Sequence, residues 1–138
     1  MGLAWAFVAW SFHLQRYAGI QWAATWFAAA FAGQGLLLLF LAVGAAQTSS
    51  RAPSRSSRVG VVLSLVALAL YPFIGVGFGR PPSQAEVFGV APDPTVLVTV
   101  GALLMAKPAR RAPWLLAWTV PWLWSLYSGM TLWVMHMR

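Results

Sequence analysis

The chain has 138 residues, of which 60% are hydrophobic and only 8% charged, with a formal net charge of +7. A soluble domain carries about a quarter charged residues, so this composition excludes an ordinary soluble globule and predicts an all-α integral membrane protein, a single domain over residues 1–138. The basic residues are grouped in short links between apolar runs, and no basic face with interleaved aromatics lies outside those runs, which argues against nucleic acid as a partner. Cysteine is absent, which removes disulfides, thiolate metal sites and a Cys nucleophile.

Five spans are expected in chain order. The first apolar run, residues 3–14, covers about 18 Å at helical rise, less than the roughly 30 Å of a hydrocarbon core. The second run, 22–46, is long enough to cross with tilt, and small residues recur along it at Ala24, Ala28 and Ala32 and at Ala29 and Gly33. A polar link with Arg51, Arg55 and Arg58 follows. The third run, 59–78, contains Pro72, which is expected to kink it or end its regular part. The longest link, GRPPSQAEVFGVAPDP, holds both acids of the chain, Glu86 and Asp93. The fourth span, 93–106, is again short, and KPARR then brings Lys107, Arg110 and Arg111. The fifth, 113–135, has Pro121 near its middle.

Five spans put the termini on opposite sides. The second and fourth links share a side and hold Arg51, Arg55, Arg58, Lys107, Arg110 and Arg111, six of the nine bases. The positive-inside rule makes that side cytoplasmic, with the N-terminus in the cytoplasm and the C-terminus in the periplasm of a bacterial inner membrane. The same six side chains are expected to meet anionic lipid headgroups.

In APDPT, Asp93 is expected to cap the fourth span, with Pro94 at the following position, where a missing N–H costs nothing. The negative charge suits the positive end of the helix dipole. A sharper alternative folds the Phe88–Thr95 segment inward as a re-entrant loop ahead of a short half-helix, as in channels and transporters.

The order Tyr71-Pro72, a glycine-rich turn, Phe88-Gly89, then Pro92-x-Pro94-Thr95 and an apolar helix with Gly101 resembles an uncharacterised family of bacterial multi-span membrane proteins, a domain of unknown function. The Trp114–Trp122 stretch, with Pro121, is compatible with it, and the similarity runs from about Trp22 to Trp124. The resemblance implies a fold and no particular activity. The chain looks N-terminally shortened against that family. Where the family tends to carry His in the glycine-rich turn and Cys between the two prolines, this chain has Arg80 nearby and Asp93.

Several other residues invite a role. Gln34, between two glycines at the middle of the second run, is expected to make an interhelical hydrogen bond. His13 follows Ala9 by one turn, a spacing that resembles the ligand helix of chlorophyll proteins, so it is the candidate pigment ligand. His13 and His136 share a side with Glu86 and Asp93, without metal-ligand spacing, and no metal site is expected. Ser125 and Ser128 lack a nucleophile elbow, so no enzyme is expected. Trp114, Trp118 and Trp122 recur every four residues and read as a face for a partner helix, quinone, pigment or lipid tail. No span is expected to bury an acid, Lys or Arg, which argues against a free-standing coupled transporter. The reading is therefore a small accessory or scaffold subunit of a larger membrane complex, an energy-converting one included, packing against other transmembrane subunits and bound lipid. The alternatives are a small-molecule channel or transporter using the Phe88–Thr95 loop, and a pigment-binding subunit.

Overall fold

A computed structural model describes residues 1–45, 54–106 and 110–137. The described residues form five helical rods and no strand. The first rod, α1 (residues 2–17), is α-helical over Gly2–Val8 and widens to π-helical geometry over Ala9–Tyr17. It is therefore longer than the 3–14 run of apolar residues, because Gln15, Arg16 and Tyr17 continue the coil despite their polarity. The others are α2 (Ala24–Ala45), α3 (Arg55–Gly77), α4 (Pro92–Met105) and α5 (residues 111–136, turning at Ala117 and Trp118).

Local chemistry sets the ends and the irregularities. Ser54 caps α3, its hydroxyl accepting from the Ser57 N–H at 3.2 Å. Pro72 does not stop α3. A π-helical stretch, Val66–Leu70, precedes it, and the Tyr71 N–H bonds back to the Val66 carbonyl. The widened turn accommodates the proline ring and its missing donor, so the rod continues to Gly77. The link to α4 contains a 3-10 turn at Pro82–Gln84 and two glycines with positive φ, Gly79 and Gly89.

The shortest rod, α4, lies at the centre. Eight of its 14 residues are buried, more than in any other described helix. Its largest interface is with α3, and that interface is made by an unusually close approach of backbones. A methyl group on Gly101 would stand 2.6 Å from the Gly60 carbonyl oxygen and against the Ser64 hydroxyl. Only hydrogen fits there, so the two helices meet at glycine. The second core region joins α1, α2, α4 and α5 through Trp5, Val8, Phe31, Val96 and Trp124.

Contacts also define the two ends of the bundle. Gly60, near the start of α3, lies against Leu104 and Met105 at the end of α4. The start of α5 follows at once, so Arg55, Arg58, Arg110 and Arg111 gather at one end. At the other end, Tyr71 near the close of α3 meets Asp93 at the opening of α4.

Candidate functional site

Asp93 is not the cap of α4. Ala91 occupies the N-cap position in extended conformation, and Asp93 lies inside the first turn, between Pro92 and Pro94. Both prolines fall where the helix has no need of their N–H groups. The start is fixed instead by Thr95, whose hydroxyl donates to the Ala91 carbonyl at 2.7 Å and accepts from the Gly89 N–H at 2.8 Å. Gly89, at φ +79°, packs beside Ala4, which brings the Phe88–Thr95 segment against α1.

Freed from capping, the Asp93 carboxylate faces α3 and α5. Tyr71 Oη donates to Oδ2 at 3.2 Å, Ser128 Oγ to the same oxygen at 2.9 Å, and Trp124 Nε1 to Oδ1 at 2.5 Å. One half-buried carboxylate thus ties three helices together. All three donors are neutral, and the charge also rests on the positive end of α4. The other acid is disposed differently: Glu86 pairs with Arg80 at 3.1 Å on the exposed link.

Trp124 couples this cluster to an aromatic core. Its ring meets His13 edge to face at 5.2 Å, Phe31 at 5.1 Å and Phe27 at 5.4 Å between centroids. His13 is 1% exposed, and its Nε2 has no hydrogen-bond partner. Phe12, Phe27, Phe31 and Trp124 enclose it on its sides. The imidazole is thus a core ring with no open face for a macrocycle, and the pigment-ligand geometry expected from Ala9 and His13 is absent. Ala9 itself is buried in the same core.

A second polar thread runs beneath. Trp5 Nε1 donates to Thr99 Oγ1 at 2.8 Å, and Thr99 donates to the Thr95 carbonyl at 2.8 Å. Gln34, 2% exposed, donates from Nε2 to the Ala117 carbonyl at 2.7 Å. In an unbroken helix that carbonyl accepts from the residue four positions on, but here that residue is Pro121, which has no N–H. The α2 amide replaces the bond that the proline removes.

A family model described as "Family of unknown function (DUF6064)" matches residues 1–137. The chain belongs to the DUF6064 family. The match extends beyond the Trp22–Trp124 stretch on which the resemblance rested. No curated protein and no solved structure matches this DUF6064 chain.

The remaining expected residues separate in space. Trp114, Trp118 and Trp122 differ in burial: Trp114 and Trp118 pack edge to face at 5.8 Å, half-buried, while Trp122 is exposed. In α2, Ala24 and Ala28 are buried, whereas Ala29, Ala32 and Gly33 are exposed. The buried row continues instead through Phe31 and Gln34. Arg55, Arg110 and Arg111 are exposed, Arg58 likewise; Arg51 and Lys107 lie outside the described residues. Tyr71, Trp124 and Ser128, the partners of Asp93, were missed from the sequence. The available signal was Trp124 and Ser128 one helical turn apart, in a chain with a single acid left over after Glu86.

Proposed function

We propose that this DUF6064 protein is a five-span integral protein of the bacterial cytoplasmic membrane that serves as an accessory or scaffold subunit of a larger membrane complex. The observation that carries this reading is the distribution of apolar surface. Two helices, Ala24–Val43 within α2 and Arg55–Gly77, are long and apolar enough to cross a bilayer. Large side chains stand outward along them, among them Trp26, Leu36, Phe40, Val62, Leu65 and Phe73. On α5, Trp122, Leu126, Met130 and Trp133 do the same. Polar groups turn inward and find partners in Asp93, Gln34, Thr95 and Thr99. An apolar exterior around a bonded polar interior suits lipid and neighbouring helices, not water.

In this reading the arginines at one end, Arg55, Arg58, Arg110 and Arg111, meet anionic headgroups on the cytoplasmic side, and the Asp93 end faces the periplasm. The short α1 and α4 are completed by lipid or by other transmembrane subunits, and bound lipid or a quinone occupies the outer grooves. The protein acts by packing.

The test is purification from the native membrane in mild detergent, followed by sizing and mass-spectrometric composition. Fixed partners at constant stoichiometry support the scaffold reading. A chain that runs alone or only with copies of itself overturns it. A second reading, a small-molecule channel or transporter, is favoured by one observation: the Phe88–Thr95 segment tucks against α1 at Ala4 and carries Asp93 into contact with α3 and α5. Solute flux into vesicles containing the purified chain distinguishes it.

A further inference from the structure

The two acids of this +7 chain are treated differently. Glu86 is neutralised by Arg80. Asp93 has no cationic partner among the described residues, only the hydroxyls of Tyr71 and Ser128 and the indole N–H of Trp124. Three donors occupy three of the roughly four acceptor positions that a carboxylate offers. Oδ2 takes two of them and Oδ1 one, so the spare acceptor position lies on Oδ1, on the Trp124 side. Hydrogen bonds to the ionised form hold the charge in place without cancelling it.

The surroundings narrow what could cancel it. No group of three His, Asp or Glu side chains comes together among the described residues, so a divalent metal lacks a ligand set. A single carboxylate balances a single positive charge. Tyr127 and Phe27 pack ring to ring at 4.8 Å, and both touch Trp124, the donor to Asp93 Oδ1. Asp93, Tyr71, Ser128, Tyr127 and Phe27 are all half-buried, whereas His13 behind them is sealed. Aromatic faces carry negative potential and attract ammonium groups, above all those with carbon substituents. Sodium gains little from such rings.

We propose that the Asp93 end of the bundle binds a monovalent organic ammonium ion, its charge on the Asp93 carboxylate and its carbon substituents against Tyr127 and Phe27. Trp124, Tyr71 and Ser128 are positioning residues that aim the carboxylate. This inference is independent of the scaffold reading, because a subunit with fixed partners can carry such a site.

The experiment is isothermal titration calorimetry of the purified full chain in mild detergent. The probes are choline, its neutral isostere 3,3-dimethylbutan-1-ol, and sodium chloride. Saturable heat with choline and none with the isostere is the expected result. Asp93→Asn, checked for an unchanged melting transition, should weaken choline binding by about tenfold or more, the scale of one charge-assisted contact. Tyr127→Leu and Phe27→Leu, which leave the carboxylate in place, should each weaken it by about three- to tenfold, and they decide the matter if Asp93→Asn does not fold. Equal heats for choline and its isostere overturn the proposal. So does choline binding that sodium chloride at the same concentration abolishes, or binding that survives both ring substitutions unchanged.

Discussion

Gln34 of α2 hydrogen-bonds the one carbonyl of α5, that of Ala117, which Pro121 leaves without a helical donor. A kink in one helix and a buried amide in another are therefore a single device. The proline creates an acceptor in an apolar interior, where an unpaired polar group is costly, and the glutamine satisfies it.

That pairing makes a double-mutant prediction. Gln34→Leu should lower the unfolding free energy in detergent by about 1–3 kcal/mol, since it orphans the carbonyl. Pro121→Ala restores an N–H at the correct position, so it should rescue part of the loss in the Gln34→Leu background. A coupling energy near zero between the two sites, where contacts of this kind give about 0.5–3 kcal/mol, would contradict the account.

Asp93→Ala removes the acceptor of three donors at once. We expect a loss of about 1–3 kcal/mol, since part-buried hydroxyl and indole donors are left without their acceptor, and a shift of indole fluorescence as Trp124 loses its partner. Arg80→Ala breaks only the exposed pair with Glu86 and should cost less than about 1 kcal/mol. Comparable melting shifts for the two variants would show that the Asp93 cluster carries no special share of the stability.

Gly101→Ala places a methyl 2.6 Å from the Gly60 carbonyl and should separate α3 from α4 at a cost of about 1–3 kcal/mol, as overpacking does. Gly33 has open space around it, so Gly33→Ala should be neutral or stabilise by about 1 kcal/mol through helix propensity. Thermal unfolding of both variants in one detergent reads the contrast, and an equal response at the two glycines would refute the close crossing.

His13 is a buried ring whose Nε2 finds no partner. His13→Phe keeps an aromatic of similar size and removes the orphaned nitrogen, so it should hold or raise stability, by up to about 1–3 kcal/mol. A marked drop in melting temperature would mean that the imidazole nitrogen has a partner in the working protein.

Much of the architecture was legible from local signals. Apolar runs, prolines and glycines placed five rods and their links, because chain hydropathy and backbone restriction act within a few residues. Asp93 and Pro94 marked the opening of the fourth span to within a residue for the same reason. Only the tertiary structure decided what each polar side chain does. Asp93 looked like a cap, a role that depends on neighbours two or three residues away, yet its donors lie 22, 31 and 35 positions distant. Gln34 finds its acceptor 83 residues on, and Trp5 finds Thr99 after 94. Within the Trp114, Trp118 and Trp122 row, the first two are half-buried and the last is exposed. Hydrophobicity acts residue by residue and is written along the chain, whereas a hydrogen bond needs two groups within about 3 Å, a condition that only the packed helices supply.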